Sequence, residues 1–225
     1  MHSTIRRTVV DAALDAWAVL MPVDCAGCGT PDRALCLACR SRLTPAPAWH
    51  RLPDGTPTAS ALDYADVTRQ VILAFKEQGR TDVAGPLAAA LRLAIDTAAS
   101  GAAVDRPELA LVPTTRQSYR RRGYDPVALL VRRAGFARAT VLRRSRGTLQ
   151  QKALDVESRS RNLVGSLRAV RPLHGRSFIL IDDVMTTGAT LTEAARALRE
   201  AGGVVLAAAT AAHTARLFPT PTSSS

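Results

Sequence analysis

Aromatic residues make up only 4% of the 225-residue chain, lysine occurs twice and cysteine four times. So few rings leave little surface on which nucleobases could stack, so any contact with nucleic acid would be electrostatic and indifferent to sequence. No apolar run reaches the ~18 residues that span a bilayer. The nearest approach, Ile5 to Met21, is interrupted by Arg6, Arg7, Asp11 and Asp15. Its apolar residues Ile5, Val9, Ala13, Trp17 and Leu20 recur at helical spacing, which predicts a packed amphipathic helix instead. A signal peptide would need an uninterrupted apolar stretch and a small-residue cleavage site, and neither is seen. The chain therefore reads as cytoplasmic, with no membrane insertion. Neither GxxxxGK[ST] nor GxGxxG occurs, which disfavours P-loop nucleotidases and Rossmann dehydrogenases. His50, His174 and His213 are scattered and suggest no catalytic pair, and there is no internal repeat.

What the chain does have is enough apolar residue, 47%, to build a core, which excludes wholesale disorder. Its 23.9 kDa fit one medium domain plus a small accessory module. The formal charge of +11 is concentrated. From Arg116 to Arg176 there are 16 Lys and Arg against three acids, a net +13, which leaves −2 for the remainder. With 28 Arg, part of this is compositional bias, but bias alone would spread the charge more widely. A concentrated positive field attracts polyanions, either a phosphate-rich small molecule or nucleic acid. The surplus over what one phosphate-rich small molecule needs points to Arg132, Arg133, Arg143, Arg144 and Arg146 as candidates to track a single-stranded DNA backbone.

Five segments follow from the patterning: an amphipathic helix over 1–22, a Cys-rich knuckle over 23–43, a Pro-rich linker or extended cover over 44–60, an α/β region over 61–216, and a disordered tail over 217–225. Within the α/β region, Val67 to Phe75 and Val83 to Ala99 read as helices. Leu109 to Pro113 reads as a buried strand, followed by a polar loop and a helix from about Pro126 to Ala134. Val141-Leu142 suggests a short strand. Ser177 to Ile181 is a buried strand feeding a helix from Thr190 to Ala201, and Val204 to Thr210 is the next strand. Such alternation implies an α/β fold, a largely parallel sheet with helices on both faces.

The cysteines fall as Cys25-x2-Cys28 and Cys36-x2-Cys39. Each pair puts two thiolates on one tight turn, with Gly27 and Gly29 supplying backbone freedom. Four sulfur ligands at tetrahedral reach suit a structural Zn²⁺, with no position open for catalysis. Disulfides or unrelated thiols are the alternatives, but disulfides do not suit a cytoplasmic chain. The metal's expected task is to fold a segment too short for its own core, separate from the core of the α/β region.

In Phe178-Ile-Leu-Ile-Asp182-Asp183-Val-Met-Thr186-Thr187-Gly188-Ala189-Thr190, a buried strand runs into two acids, a Thr/Gly loop and a helix. A loop ahead of a helix offers unpaired N–H groups and the positive end of the helix dipole, which suits a phosphate. Thr186, Thr187 and Thr190 add hydroxyl donors, and Gly188 lets the backbone approach an anion. Asp182 and Asp183 can accept hydrogen bonds from vicinal sugar hydroxyls at the edge where open α/β sheets bind ligands. Mg²⁺ would be expected beside a pyrophosphate.

This string resembles the ribosyl-phosphate signature of type I phosphoribosyltransferases. Further landmarks narrow the resemblance to the ComF family of competence-associated phosphoribosyltransferase-like proteins. They are the four cysteines, Ala74-Phe75-Lys76 with Gly79, Val112-Pro113, Arg122-Gly123-Tyr124, Thr148 with Gln151, and Arg159 with Asn162, in family order from about Val19 to Thr214. Two places depart from the family's pattern: Thr114-Thr115 stands where Val-Pro usually repeats, and Asp125-Pro126 where Asn-Gln usually follows. The resemblance implies a type I phosphoribosyltransferase-like fold with a small N-terminal zinc module, binding 5-phosphoribosyl-1-pyrophosphate (PRPP) with Mg²⁺. By that resemblance Asp182 and Asp183 hold the ribose hydroxyls, and Thr186, Thr187, Gly188, Ala189 and Thr190 cradle the 5′-phosphate. Thr114, Thr115 and Arg116 face the pyrophosphate, Asp182, Asp183 and Arg116 form the catalytic set, and the segment from Arg143 to Asn162 is a hood. Lys76 either reaches the site or ends its helix in solvent. Three functions stay open: a transferase with an unnamed nitrogen acceptor, in nucleotide salvage or elsewhere; a non-catalytic PRPP or nucleotide sensor; and an accessory of DNA uptake that handles single strands or passes them to a helicase.

Overall fold

The computed structural model describes residues 23–31, 33–101, 104, 107–145 and 163–214. Its centre is a five-stranded sheet in the order β1-β2-β7-β6-β3, where β1 is Ala48–Arg51, β2 Pro57–Asp63, β3 Glu108–Leu111, β6 Ser177–Met185 and β7 Val204–His213. All neighbours are parallel except the edge pair β1 and β2. Phe178 to Ile181 is buried at every residue, as a parallel strand covered on both faces requires. Alternate residues feed two cores. Ala59, Leu109, Ile179, Ile181 and Ala209 face α2 (Asp66–Glu77), α3 (Ala84–Ser100) and α5 (Pro126–Arg133). Ala110, Phe178, Leu180 and Ala208 face α6 (Ala189–Glu200) and a two-stranded ribbon, β4 (Leu142–Arg144) with β5 (Leu167–Ala169). The expected α/β sandwich is therefore present. Among the described residues no helix is long and apolar enough to cross a membrane.

Four local expectations change. Residues 44–60 are no linker: β1 lies there, and β2 begins at Pro57 and is buried from Thr58 to Leu62. Its prolines mislead because they stand outside the strands or at a strand's first residue, where the missing N–H costs no ladder bond. The polar loop after β3 contains α4, Arg116–Arg122, capped by Thr115 Oγ1, which accepts from Ser118 N at 3.0 Å. β6 does not stop at Ile181 but carries on through both acids to Met185. The knuckle, which contains α1 (Leu37–Arg42), has no core of its own. Cys25, Leu35, Cys39 and Leu43 join the apolar cluster that contains Val71 and Phe75 of α2. Arg80 fastens the join by donating to the carbonyls of Asp24 at 2.9 Å and Ala34 at 3.4 Å. The first helix over 1–22, the tail, Arg146 and the hood residues from 146 to Asn162 lie outside the described residues.

Candidate functional site

The site forms where β6 ends. A parallel strand delivers Asp182 and Asp183 to the carboxyl edge of the sheet, and Thr186 to Gly188 turn the chain into α6. Gly188 stands at the N-cap with φ 72° and offers no side chain to cap the helix, and of the first helical N–H groups that of Ala189 donates to Thr187 Oγ1 at 3.3 Å. The glycine has a second reason that the sequence did not suggest. A Cβ there would lie 2.9 Å from Leu52 Cδ2 and 3.2 Å from Pro53 Cδ, because the β1–β2 turn rests on the loop. Arg199 of α6 holds that turn, donating to Thr56 Oγ1 at 2.8 Å and pairing with Asp54 at 2.5 Å.

Above the loop opens a cleft of about 330 Å³. Thr114, Thr115, Asp182, Asp183, Thr186 and Thr190 line it together. Thr187, Gly188 and Ala189 build the loop without lining the cleft. Thr115 spends its hydroxyl on the α4 cap. Arg116 is absent from the cleft and lines a neighbouring pocket beyond the 112–114 segment. The cations at the cleft are instead Lys76, Arg122 and Arg144, with Tyr64 beside them. Arg144 is one of the arginines that the sequence offers for tracking DNA. Here it donates through Nε to the Pro113 carbonyl at 3.0 Å, while its neighbour Arg143 points to solvent.

Charge is tightly coupled here. Lys76 Nζ lies 3.1 Å from Asp183 Oδ1 and 3.0 Å from Oδ2. Burial alone would pull the Lys76 pKa down, but the Asp183 carboxylate, aided by Asp182, raises it. Asp182 accepts from the Asp183 N–H at 2.9 Å. Burial first, and the Asp183 charge second, push Asp182 up to about 7, with Lys76 offsetting only part of the shift. Burial draws Arg144 down against the pull of Asp182. Arg122 donates through Nη2 to Glu77 Oε1 at 2.8 Å, while its buried Nε has no hydrogen-bond partner among the described residues. Buried donors are rarely left unpaired, which makes this Nε one of few such atoms among the described residues. The Arg122-Gly-Tyr124 motif was the signal for it in the sequence; Lys76 was visible in Ala-Phe-Lys76.

Behind α2, the four cysteine sulfurs lie within 4.8 Å of one another, a group that could hold a metal such as zinc. Cys28 Sγ and Cys36 Sγ are 3.7 Å apart. A tetrahedron of Zn–S bonds of ~2.3 Å has edges of about 3.8 Å, so the sulfurs fit the ion. The Cys36 N–H donates to Cys25 Sγ, and the Cys39 N–H to Cys36 Sγ, each at 3.4 Å. The two glycines of the first turn serve different ends. Gly29 takes φ 75°, while a Cβ on Gly27 would lie 2.7 Å from Cys39 Sγ and 3.0 Å from Val67 Cγ1 of α2.

A parallel sheet, a strand–acid–threonine loop and a cationic cleft describe a phosphoribosyltransferase domain, and the phosphoribosyl transferase domain family matches residues 120–220. Similarity over most of the chain is sharper. The chain is 30% identical over 188 residues to DNA utilization protein YhgH of Escherichia coli O6:H1, covering 81% of this chain and 80% of that protein. The K12 counterpart is 29% identical over 190 residues, with 81% and 80% covered. Competence protein F of Haemophilus influenzae is 27% identical over 188 residues, covering 79% of each. The chain belongs to the ComF family.

Proposed function

We propose that the cleft binds PRPP with Mg²⁺ and supports transfer of the ribosyl phosphate to an acceptor. The observation that carries this reading is the convergence of Asp182, Asp183, Thr186 and Thr190 with Lys76, Arg122 and Arg144 in one cleft at the sheet edge. The 5′-phosphate would sit over the start of α6, on the N–H groups that follow Ala189 and the threonine hydroxyls. Asp182 and Asp183 would accept from the ribose hydroxyls, with the Lys76 ion pair holding the Asp183 carboxylate in place. Arg122, Arg144 and Thr114 would face the pyrophosphate, where negative charge develops as the anomeric C–O bond breaks and the acceptor nitrogen attacks. Asp182, which makes no ion pair among the described residues, would also be within the donor set for Mg²⁺, an ion that is commonly held by one or two carboxylates plus substrate phosphates. When bound, that ion supplies further neutralisation of the leaving group. The four-cysteine group we assign to structural zinc on its sulfur spacing.

Calorimetry with PRPP and Mg²⁺ tests the cleft. Asp183→Asn is expected to weaken binding at least ~10-fold, about 1.4 kcal/mol; unchanged affinity would make the acidic pair structural. Pyrophosphate release across a panel of bases separates a transferase from a sensor.

A second reading, a cytoplasmic accessory of DNA uptake, follows the names of the relatives and one further observation. Arg143 and Arg168 stand directly opposite each other on the β4–β5 ribbon, both exposed. Like charges so placed repel unless an anion lies between them, and a single strand of DNA supplies a row of anions.

A further inference from the structure

The segment Val112 to Thr114 has two sides. One lines the cleft, and the other lines a second pocket of about 370 Å³ that the proposed function leaves unused. Its floor is apolar, formed by buried Leu111, Val112, Val141 and Leu142. Its rim is cationic. Arg116, Tyr119 and Arg120 fall at i, i+3 and i+4 on α4 and so share one helix face. Arg138 meets them from the segment joining α5 to β4. On the same helix Arg121 and Arg122 pair with Glu77. No carboxylate of the described residues pairs with Arg116, Arg120 or Arg138. The acid on the rim is Asp125, which is engaged as the α5 cap, accepting from Ala128 N at 3.0 Å.

We propose that this pocket is a nucleoside monophosphate site, with the base against Tyr119 and the apolar floor and the phosphate among the three guanidinium groups. Each part of the lining excludes something simpler. A bare phosphate has no use for the apolar floor, and a neutral base has none for three unpaired arginines, whose planar forks match phosphate oxygens. The volume lies at the lower end of the range for small-ligand pockets, in keeping with one nucleotide. Tyr119 is 52% exposed, so its ring face is open to stack on a base. Because Val112 to Thr114 form a wall of both cavities, ligands in the two sites would alter each other's affinity reciprocally. The pocket is argued from its own residues and stands or falls apart from the PRPP reading.

The test is calorimetry on the full chain with adenosine 5′-monophosphate, in saturating PRPP and Mg²⁺ so that the cleft is filled. One AMP per chain is expected, with adenosine and inorganic phosphate each at least ~10-fold weaker, the size of a lost charged or stacked contact. Arg120→Gln with Arg138→Gln should lower AMP affinity at least ~10-fold and leave PRPP affinity within about 2-fold. Should that pair fail to fold, Tyr119→Ala serves: AMP weakens while inorganic phosphate does not. Absence of AMP binding, AMP that only competes with PRPP, or indifference to these substitutions overturns the proposal. If PRPP itself does not bind, the cleft reading fails alone, and the same substitutions on the unfilled protein still decide this one.

Discussion

Asp182→Asn should stabilise the unliganded protein while weakening the ligand. Of the two carboxylates on β6, Asp183 is paired with the Lys76 ammonium, whereas Asp182 makes no ion pair among the described residues. Burial and Asp183 push Asp182 up from 3.8 to about 7. At ~1.36 kcal/mol per unit the ceiling is about 4 kcal/mol. Asp182 is partly open to the cleft, so about 1–3 kcal/mol is the realistic figure. Its folded pKa exceeds its unfolded one, so the folded state binds the extra proton. The contribution is therefore full below pH ~4 and lost as pH rises towards 7. The wild type should lose this stability between pH 4 and 7, and Asp182→Asn should not. His50, lowered by burial and by His213, acts in the opposite sense, so the readout is the difference between the two proteins. Urea melts at half-unit steps from pH 4.5 to 8.5 measure it. The substitution should gain most at pH 8, nothing near pH 4, and lose PRPP affinity ~10-fold, a trade of stability against function. A variant no more stable at pH 8, or a gain that persists unchanged at pH 4.5, would refute the argument.

The remaining tests concern packing and charge. Cys39→Ser should take bound zinc from one per chain towards zero and cost more than ~2 kcal/mol in a single cooperative transition; a separate early melt would mean the knuckle is independent after all. Gly188→Ala combines a left-handed φ with the Leu52 contact and should cost ~2–3 kcal/mol. Adding Leu52→Ala should recover part of that, and no recovery in chemical denaturation would leave only the backbone conformation as the cause. Arg143→Gln with Arg168→Gln should flatten the log–log salt dependence of single-stranded DNA binding by roughly 1 to 2 in slope, at about −0.7 per phosphate, with PRPP affinity unchanged. A slope unaltered in anisotropy titrations would remove the ribbon from that role.

What the sequence made legible was local. Phe178 to Ile181 is uninterrupted and apolar, so its burial needs no tertiary information, and the acids, threonines and glycine after it sit at fixed offsets on one turn. Arg116 was legible only as a charge near the right loop. Which side of Val112–Thr114 it occupies depends on α4, whose cap Thr115 and terminal Gly123 are short signals inside a run of arginines. The β1–β2 hairpin was hidden for a related reason. Pro45, Pro47, Pro53 and Pro57 read as a linker when counted, yet each avoids the strand interiors, so the chain between them is free to pair. Lys76 required a partner 107 residues away.

The same long-range logic bears on why the four-cysteine knuckle packs where it does. A module that merely needed help to fold could pack on any apolar patch. This one packs on α2, where Gly27 is cut back to let Cys39 close on Val67, and Cys25 and Cys39 share a core with Val71 and Phe75. The last turn of that helix carries the site's charge arrangement: Lys76 on Asp183, and Glu77 on Arg121 and Arg122. The Phe75 carbonyl accepts from the Tyr124 hydroxyl, and Arg80, just beyond, reaches back to the knuckle's own carbonyls. One face of α2 is thus set by the knuckle and its end sets two of the three cations of the cleft. Hydrogen-bond reach is lost with ~1 Å of displacement, so the knuckle's packing is part of what positions Lys76 and Arg122, although no cysteine touches the site.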